Sequence, residues 1–389
     1  MKKKVLFVVD EREMGGVSVV LNDLLHFLNK EILDIDVLVL HNRGNMLSEL
    51  ADDIHMFFGT SYFDTVDYHI SEVLKMYNLQ KLYRKLRIVF DLKTKRVKKR
   101  IVKERKKIIK KNYDVEIAFK DGYSAIFTAC GDTVKKIHWL HCDYASNNPN
   151  EKYAKLFADL LPRFDHIVGV STNVAKSFNE TYHLKQKAEV IPIAMDTKRI
   201  LALSKAESKV SLNKQKLNIV VVGRAHPVKG YERMVAVFDK LQQAKLMENV
   251  EVHVFGDGPL FADIVELIKA KKLTDKIVME GNTENPYAEI KMYDVLLLPS
   301  YSEAFGTVIS EAFIVGVPVL GTRTAASEMS IRQNQNGWIC ENSESGLYQA
   351  LKKLIHAPQE IKHCKQHLQS FQYDNYKILK RIEEMLQDE

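Results

Sequence analysis

The sequence predicts an α/β protein with two doubly wound parallel-sheet domains in tandem. The 389 residues exceed what one hydrophobic core usually organises, and 46% of them are apolar, enough to bury sizeable cores. Short, apolar, β-rich runs alternate with helical or polar stretches, a pattern typical of parallel sheets with helices on both faces. This alternation pauses near residue 200 and then begins again.

The first series of strands lies within residues 1–195, the predicted N-terminal domain. It opens with the apolar run KVLFVV, a loop that contains Gly15 and Gly16, and a helix whose leucines share one face. Four further strands are predicted in this series: DIDVLVL (34–40), YDVEIAF (113–119), KKIHWLH (135–141) and FDHIVGVS (164–171).

The second series of strands lies within residues 205–365, the predicted C-terminal domain. A polar connection, residues 202–216, marks the boundary between the two domains. The predicted strands are LNIVVVG (217–223), VEVHVFG (250–256), KIVMEG (276–281), YDVLLLP (293–299) and VPVLGT (317–322). The tail, residues 366–389, has a helical pattern without a strand, and we expect it to pack back on the N-terminal domain.

Cysteine usage and the N-terminus exclude several classes of protein. The four cysteines, Cys130, Cys142, Cys340 and Cys364, show neither CxxC pairing nor metal-ligand spacing, so no disulfide framework or zinc site is predicted. A reducing, cytoplasmic setting fits this pattern. The first apolar run has about five residues, too few for a signal peptide or a transmembrane helix. We therefore expect no segment of the chain to span a membrane.

The net charge of +7 conceals a strongly basic segment, residues 81–111. This segment holds 16 Lys and Arg residues against two acids, a local charge of +14, while the rest of the chain sums to −7. Apolar residues recur in it at roughly helical spacing: Leu82, Leu86, Val89, Phe90, Val97, Ile101 and Ile108. Two interpretations stay open, a solvated basic helix packed on its own domain and a helix that contacts an anionic membrane surface. No pattern favours nucleic acid binding.

Ligands of open parallel sheets bind outside the carboxyl ends of the strands, so the residues after each predicted strand are the candidates for a site. After LNIVVVG, Gly223 frees the backbone, while Arg224 and Lys229 place two cations just before a helix, an arrangement suited to a phosphate or diphosphate. After VEVHVFG, Gly256 and Pro259 belong to a turn that allows a ligand to approach the backbone.

The stretch SEAFGTVISEAF, residues 302–313, follows the predicted strand YDVLLLP. Here Glu303 is expected in a strand-to-helix loop and Glu311 one to two turns into the helix. The amides near Gly306, Thr307 and Val308 then lie at a helix N-terminus, which favours an anion. One carboxylate is expected to accept hydrogen bonds from sugar hydroxyls and the other from a ribose diol. The alternative, two solvent-facing surface charges, stays open on these residues alone.

The motifs taken together resemble those of the family 4 glycosyltransferases. The motifs VVGRAHPVKG, VFGDGP, VMEG, YDVLLLPSYSEAFGTVISEAFIVGVPVLGT and NGWIC occur in the order and at the separations typical of that family. The resemblance is strong over residues 217–345 and weaker in the N-terminal half, where HWLHCDY and VGVSTNVAKSF carry it. It implies the GT-B fold, two Rossmann-like domains that face a central cleft. Ala304 replaces the glycine that the family usually has there.

The resemblance also implies roles for single residues. Glu311 would hold the ribose of a nucleotide donor, and Glu303 would bind hydroxyls of the donor sugar together with the amides of Phe305, Gly306 and Thr307. The remaining donor site would consist of a diphosphate clamp (Arg224, Lys229), a glycine loop (Gly15, Gly16) and a histidine that faces the transferred sugar (His141). His138 is expected to be a core residue or one that supports the site from behind.

The implied activity is retaining transfer of a hexose or N-acetylhexosamine from a nucleotide-diphosphate sugar, with UDP-sugars favoured. The acceptor would be a glycan or lipid-linked glycan in bacterial capsule, exopolysaccharide or cell-wall synthesis, reached through the basic segment at the membrane. No cofactor or metal is expected, and no DxD stands among the motif loops. The alternatives are a nucleotide-sugar epimerase and a non-catalytic nucleotide-sugar-binding module. A dinucleotide dehydrogenase is disfavoured because no GxGxxG follows the first strand.

Overall fold

The computed structural model describes residues 2–10, 16–41, 54–66, 68–94, 96–145, 153–184 and 187–388. The chain divides into two compact units. Unit 1 consists of residues 1–195 and 375–389, and unit 2 of residues 196–374. Unit 2 ends at residue 374, nine residues beyond the predicted domain end at 365. The tail after residue 374 belongs to unit 1.

Unit 1 contains a seven-stranded parallel sheet in the order β3-β2-β1-β4-β5-β6-β7. The strands are β1 (Lys3–Val9), β2 (Leu33–Val39), β3 (His55–Phe58), β4 (Val115–Ala118), β5 (Lys135–Leu140), β6 (His166–Gly169) and β7 (Glu189–Val190). The central strands are continuous runs of buried residues, as expected for a sheet covered on both faces. The winding direction reverses between β1 and β4.

The helices of unit 1 cover this sheet: α1 (Gly16–Phe27), α2 (Ile70–Lys75), α3 (Leu79–Lys93), α4 (Val97–Ile108), α5 (Tyr123–Ala129), α6 (Ala154–Ala158), α7 (Thr172–Tyr182) and the C-terminal helix α16 (Asn375–Gln387). Helix α16 is tied to the end of the unit's first segment. The Asn375 side chain accepts a hydrogen bond from the Met195 amide (3.0 Å) and donates one to the Met195 carbonyl (2.7 Å). Arg381 pairs with Glu189 at 2.5 Å.

Unit 2 contains a six-stranded parallel sheet in the order β10-β9-β8-β11-β12-β13. The strands are β8 (Leu217–Val222), β9 (Val250–Phe255), β10 (Ile277–Gly281), β11 (Val295–Leu298), β12 (Val319–Thr322) and β13 (Gly337–Cys340). The helices are α8 (Thr197–Leu203), α9 (Tyr231–Gln243), α10 (Phe261–Ala270), α11 (Pro286–Lys291), α12 (Thr307–Ile314), α13 (Ala325–Ser330), α14 (Glu344–His356) and α15 (Pro358–Leu368). The winding direction reverses between β8 and β11, and the predicted fold class is confirmed.

The basic segment forms two helices, α3 and α4, instead of the one helix that its apolar spacing predicted. Helix α4 is fixed to the sheet by a buried ion pair, in which the Arg105 guanidinium lies 2.6 Å from a Glu116 carboxylate oxygen in β4. Arg105 also donates to the Phe127 carbonyl at 3.1 Å. Both side chains of the pair are almost fully buried, so each charge depends on the other for compensation.

We expect Arg105→Met to lower the free energy of unfolding by about 3 kcal/mol, because the substitution leaves the buried Glu116 carboxylate without its cation. The double variant Arg105→Met/Glu116→Leu should lose less, since it leaves no uncompensated charge. Urea unfolding monitored by circular dichroism measures both. Lys106→Met, an exposed change on the same helix, is the control, and equal losses in the single and double variants would contradict this account.

Candidate functional site

The two loops that follow the central strands of unit 2 are bonded to each other. The reversal between β8 and β11 leaves the carboxyl ends of these strands uncovered by a crossover helix, which is where ligands bind in such sheets. The Tyr301 amide, after β11, donates to the Val228 carbonyl, after β8, at 2.8 Å. A Cβ added to Gly230 would lie 2.2 Å from the Pro299 carbonyl oxygen. Two motifs about 70 residues apart in sequence therefore form one continuous surface.

Lys229 and Glu303, predicted to make separate ligand contacts, form an ion pair on this surface. The Lys229 ammonium lies 2.7 Å from a Glu303 carboxylate oxygen, and the two side chains are 23% and 14% exposed. Ser300 donates a hydrogen bond to the same oxygen at 3.2 Å. An ammonium has three donors, so Lys229 can hold Glu303 and still donate to the oxygens of an anionic ligand.

Arg224 is exposed and forms no ion pair with any residue that the structure describes. Its backbone is nevertheless fixed, because the neighbouring Ala225 amide donates to the Asp257 carbonyl at 2.9 Å. A Cβ on Gly256 would lie only 1.9 Å from the Gly223 carbonyl oxygen, so the contact between these two loops requires glycine. Pro259 lies in the same turn and is exposed. The guanidinium is thus an unneutralised cation on a rigid support.

Helix α12 presents its N-terminus beside the ion pair. Gly306 precedes the helix in the left-handed conformation (φ 66°, ψ 60°), and an added Cβ would lie 3.0 Å from the Glu303 Cγ. The amides of Thr307 and Val308 belong to the first turn, whose N–H groups lack partners within the helix. Phe305 is buried and anchors the loop. Glu311 is the fifth residue of the helix and is half-buried, so it lies one to two turns into the helix as predicted.

Arg233, which the sequence analysis did not select, holds the loop after β11 from behind. It lies in α9, is only 4% exposed, and donates to the Pro299 carbonyl and to the Asn342 side chain, the latter at 2.7 Å. Its guanidinium lies 4.1 Å from the centre of the Tyr301 ring. Burial lowers the pKa of Arg233, and its contacts with Pro299, Asn342 and Tyr301 compensate the desolvated charge.

In unit 1, Asp121 follows β4 at the reversal of the sheet. It is 5% exposed and accepts hydrogen bonds from the His141 amide, at 3.0 Å, and from the Tyr144 hydroxyl. Burial raises the pKa of Asp121, while these hydrogen bonds oppose the shift. The sequence offered a signal, because the acid stands directly after an apolar strand in AFKDG, but only the strand itself was interpreted.

His141 follows β5, and its imidazole is held neutral. The ring packs on Phe119, with ring centres 5.0 Å apart, and its Nε2 is buried without a partner among the described residues. Burial, with a smaller effect from the charge of Lys120, lowers the pKa of His141 to about 3. A neutral imidazole nitrogen can donate a hydrogen bond to a hydroxyl group or accept one from it, according to the tautomer. Gly16 begins α1, and Gly15 lies outside the described residues.

His138 is a core residue. It is fully buried against the rings of Phe157, Phe164 and Phe178, and its Nε2 lies 3.6 Å from an Asp121 carboxylate oxygen. Burial, and secondarily the proximity of His141, lowers its pKa to about 3. His138 therefore supports the segment that carries His141.

Residues 204–370 match the model of the family described as Glycosyl transferases group 1. Among curated proteins, the chain is 32% identical over 117 residues to N-acetyl-alpha-D-glucosaminyl L-malate synthase of Bacillus anthracis, covering 29% of this chain and 31% of that protein. It is 25% identical over 217 residues to N-acetylgalactosamine-N,N'-diacetylbacillosaminyl-diphospho-undecaprenol 4-alpha-N-acetylgalactosaminyltransferase of Campylobacter jejuni, covering 54% and 57%. The chain thus matches 31% and 57% of the lengths of these two relatives.

The whole chain superimposes on solved structures of the same architecture. Anabaena Alr3699/HepE in complex with UDP-glucose matches with a TM-score of 0.73 at 16% identity, covering 98% of this chain and 99% of that one. The two parallel-sheet units therefore form the GT-B fold, as predicted. Among the described residues, no three metal-ligating side chains lie close enough together to hold an ion.

We expect His138→Leu to reduce the sensitivity of the protein to acid. Unfolded histidine binds a proton below about pH 6.5, whereas folded His138 does so only near pH 3. The unfolded state therefore binds more protons between these values, and the free energy of unfolding decreases as the pH is lowered. Between pH 7 and pH 5 the unchanged protein should lose about 2 kcal/mol more than the variant. Urea unfolding at both pH values measures this difference, and equal losses would contradict the assigned burial.

Proposed function

We propose that the chain, whose residues 204–370 match the Glycosyl transferases group 1 family, is a retaining, metal-independent hexosyltransferase of the family 4 type that uses a nucleotide-diphosphate sugar. The observation that carries this proposal is the grouping of Arg224, Lys229, Glu303 and the N-terminus of α12 around the carboxyl ends of β8 and β11. Two cations and a set of unpaired amides suit a diphosphate, while the carboxylates suit hydroxyl groups.

The proposed donor is a UDP-sugar that carries a hexose or an N-acetylhexosamine. The UDP-glucose complex of the similar Anabaena structure supports the nucleotide, and the names of the two curated relatives support an N-acetylhexosamine as the sugar. In this assignment Glu311 holds the ribose, and Glu303 binds sugar hydroxyls with the amides of Phe305, Gly306 and Thr307. The backbone is proposed to approach the donor closely at four positions: Gly16, Gly223, Gly256 and Pro259.

The chemistry proposed for these residues is electrostatic. The bond between the anomeric carbon and the phosphate oxygen breaks, and its electron pair leaves with the nucleoside diphosphate. Arg224 and Lys229 stabilise the charge that develops on that oxygen. The acceptor oxygen forms the new bond on the same face, and its proton passes to the departing phosphate. Glu303 holds the Lys229 ammonium beforehand, and the backbone next to Arg224 is fixed by the bond from the Ala225 amide, so less reorganisation is needed when the charge develops.

His141 is proposed to hydrogen-bond the sugar that is transferred. Its neutral state and unpartnered Nε2 suit a hydroxyl, whereas an imidazolium would add a positive charge beside an oxocarbenium-like centre. Asp121 acts as a positioning residue, since it accepts the His141 amide hydrogen at 3.0 Å and thereby fixes the start of the loop.

The proposed acceptor is a glycan or lipid-linked glycan of bacterial capsule, exopolysaccharide or cell-wall synthesis. The undecaprenol diphosphate in the name of the Campylobacter relative supports a lipid-linked acceptor. Within the described ranges, no helix is long and apolar enough to cross a membrane. We place the protein at the inner face of the cell membrane, held peripherally through residues 81–111.

We expect slow release of UDP from one member of a UDP-sugar panel in the absence of acceptor. Arg224→Ala and Lys229→Ala should each lower this turnover at least about 100-fold, because each removes a cation that stabilises the departing diphosphate. Glu311→Ala should mainly raise KM, by about tenfold or more, since it removes a hydrogen bond from a charged group to the ribose. A coupled assay for UDP measures all three.

Lys240→Ala provides the matched control, because Lys240 is an exposed lysine of unit 2 that pairs with Glu344. Its turnover should equal that of the unchanged protein. Tight donor binding by calorimetry with no turnover, even when acceptor glycans are supplied, would favour a non-catalytic binding module. Release of an epimerised sugar would favour an epimerase, and failure of every donor to bind would reject the proposed site.

The linkage formed is expected to keep the anomeric configuration of the donor, and EDTA should leave the initial rate unchanged. Proton NMR of the product from an α-linked donor reports the configuration through the coupling constant of the anomeric proton. A β-linked product would reject the retaining mechanism, and a loss of rate in EDTA that Mg²⁺ restores would reject metal independence.

A further inference from the structure

Helix α3 buries two charged side chains beside one apolar side chain, and it exposes a row of apolar ones. The residues that it buries in unit 1 are Lys85, Ile88 and Asp91. The Lys85 ammonium donates to the carbonyls of Thr65 and Val66, each at 3.1 Å, so the buried charge is hydrogen-bonded. Helices on the surface of a globular domain usually have the opposite polarity. The packing of α3 on its domain accounts for Ile88 but not for the apolar residues that stay exposed.

The outward face of α3 is a continuous apolar stripe. It consists of four residues at the spacing of one helix face. Their side chains are exposed to 83% (Leu79), 63% (Tyr83), 51% (Leu86) and 54% (Phe90). Leu74 and Tyr77, just before the helix, are also exposed, at 53% and 96%. Single exposed apolar residues are common, but a run of this kind along one helix marks an interaction surface.

A groove of about 860 Å³ separates this stripe from α4. Tyr83, Leu86 and Phe90 line it together with five cations and a single carboxylate, Asp91, which pairs with Arg100 at 3.3 Å. The other four cations are Arg87, Arg96, Lys99 and Lys103. None of these four forms an ion pair with a described residue.

The apolar and cationic sides of the groove are in direct contact. The Arg96 guanidinium lies 5.8 Å from the centre of the Phe90 ring, within the range of a cation–π interaction. The groove thus offers apolar surface and unneutralised positive charge within one ligand's reach. An amphiphile with an anionic head would satisfy both.

We propose that the groove between α3 and α4 binds the phosphate headgroup of an anionic membrane lipid, while the stripe of Leu79, Tyr83, Leu86 and Phe90 enters the interface between headgroups and acyl chains. This site is specified by residues that the donor chemistry does not use, and it deepens the membrane contact included in the proposed function. Basic residues near an anionic leaflet and apolar residues at its boundary stabilise binding together.

Such a surface has three candidate occupants: a free phosphate, a second copy of the chain and an anionic lipid surface. Charge and apolar area together distinguish them. A free phosphate would account for the cations but leave the apolar stripe exposed. A second copy would bring one segment of charge +14 against another, and like charges oppose that association. An anionic lipid surface complements the charge and covers the stripe.

The test is flotation of the purified full chain with vesicles. The unchanged protein should float with vesicles of phosphatidylglycerol and phosphatidylcholine and remain unbound with phosphatidylcholine alone. Lys99→Glu/Lys103→Glu should weaken binding at least about 30-fold, because each reversal removes one attraction and adds one repulsion. Leu86→Ser/Phe90→Ser should weaken it at least about tenfold, since both side chains lose apolar contact.

Matched controls carry the same changes at other places. Lys352→Glu/Lys362→Glu reverses two exposed lysines of unit 2, and Val134→Ser/Tyr376→Ser removes two exposed apolar side chains of unit 1 outside the stripe. Both should bind as the unchanged protein does. If a control loses as much vesicle binding as its matched variant, the assigned surface is rejected. Binding would then depend on the overall charge or hydrophobicity of the protein.

Three further outcomes would overturn the proposal. They are flotation that does not depend on phosphatidylglycerol, complete competition by inorganic phosphate with no effect of Leu86→Ser/Phe90→Ser, and self-association that this variant abolishes. Donor hydrolysis is measured on the same samples. Lost flotation with unchanged hydrolysis supports the lipid site. Flotation of a protein that binds no donor by calorimetry leaves the lipid site standing and rejects only the proposed donor site.

Discussion

Each sheet reverses its winding direction once, and the candidate site residues depend on this constraint. The loops that leave the two strands at the reversal run to opposite faces, so the carboxyl ends of these strands stay uncovered. In unit 2 these strands are β8 and β11, which are followed by Arg224 and Glu303. In unit 1 they are β1 and β4, and Asp121 follows the second of them. Residues distant in sequence therefore come together because the strand order requires it.

Part of the site in unit 2 is ordered before any ligand binds, because Arg233, Lys229 and Glu303 already have partners. Arg233 would destabilise the fold if its guanidinium were buried without partners, so its contacts with Pro299, Tyr301 and Asn342 are conditions of folding as well as supports of the loop. The ion pair of Lys229 and Glu303 fixes the adjoining surface in the same way. A ligand then does not have to order these side chains, which lowers the entropic cost of binding.

The sequence sufficed for the fold class, for ten of the thirteen strands that the structure describes and for the loops that carry the unit 2 site. It missed the edge strands β3 and β7, because β3 buries none of its four residues and β7 has only two, and it treated the GWIC segment of β13 only as a motif. Asp121 and Arg233 were missed for another reason. Burial of a charged side chain depends on partners contributed by other elements, such as Tyr144 and Asn342, and no local pattern reveals such partners.

Helix α3 shows the limit of periodicity most clearly. The spacing of its apolar residues indicated a helix with two faces, but not which face would be buried. Lys85 can be buried beside Ile88 because it finds two carbonyl acceptors, whereas Leu86 and Phe90 stay about half exposed. Burial of apolar area contributes roughly 25 cal/mol per Å², so a surface that covers the stripe would gain this free energy on binding. Binding to the folded state alone stabilises that state, so a lipid surface that covers α3 would also stabilise unit 1.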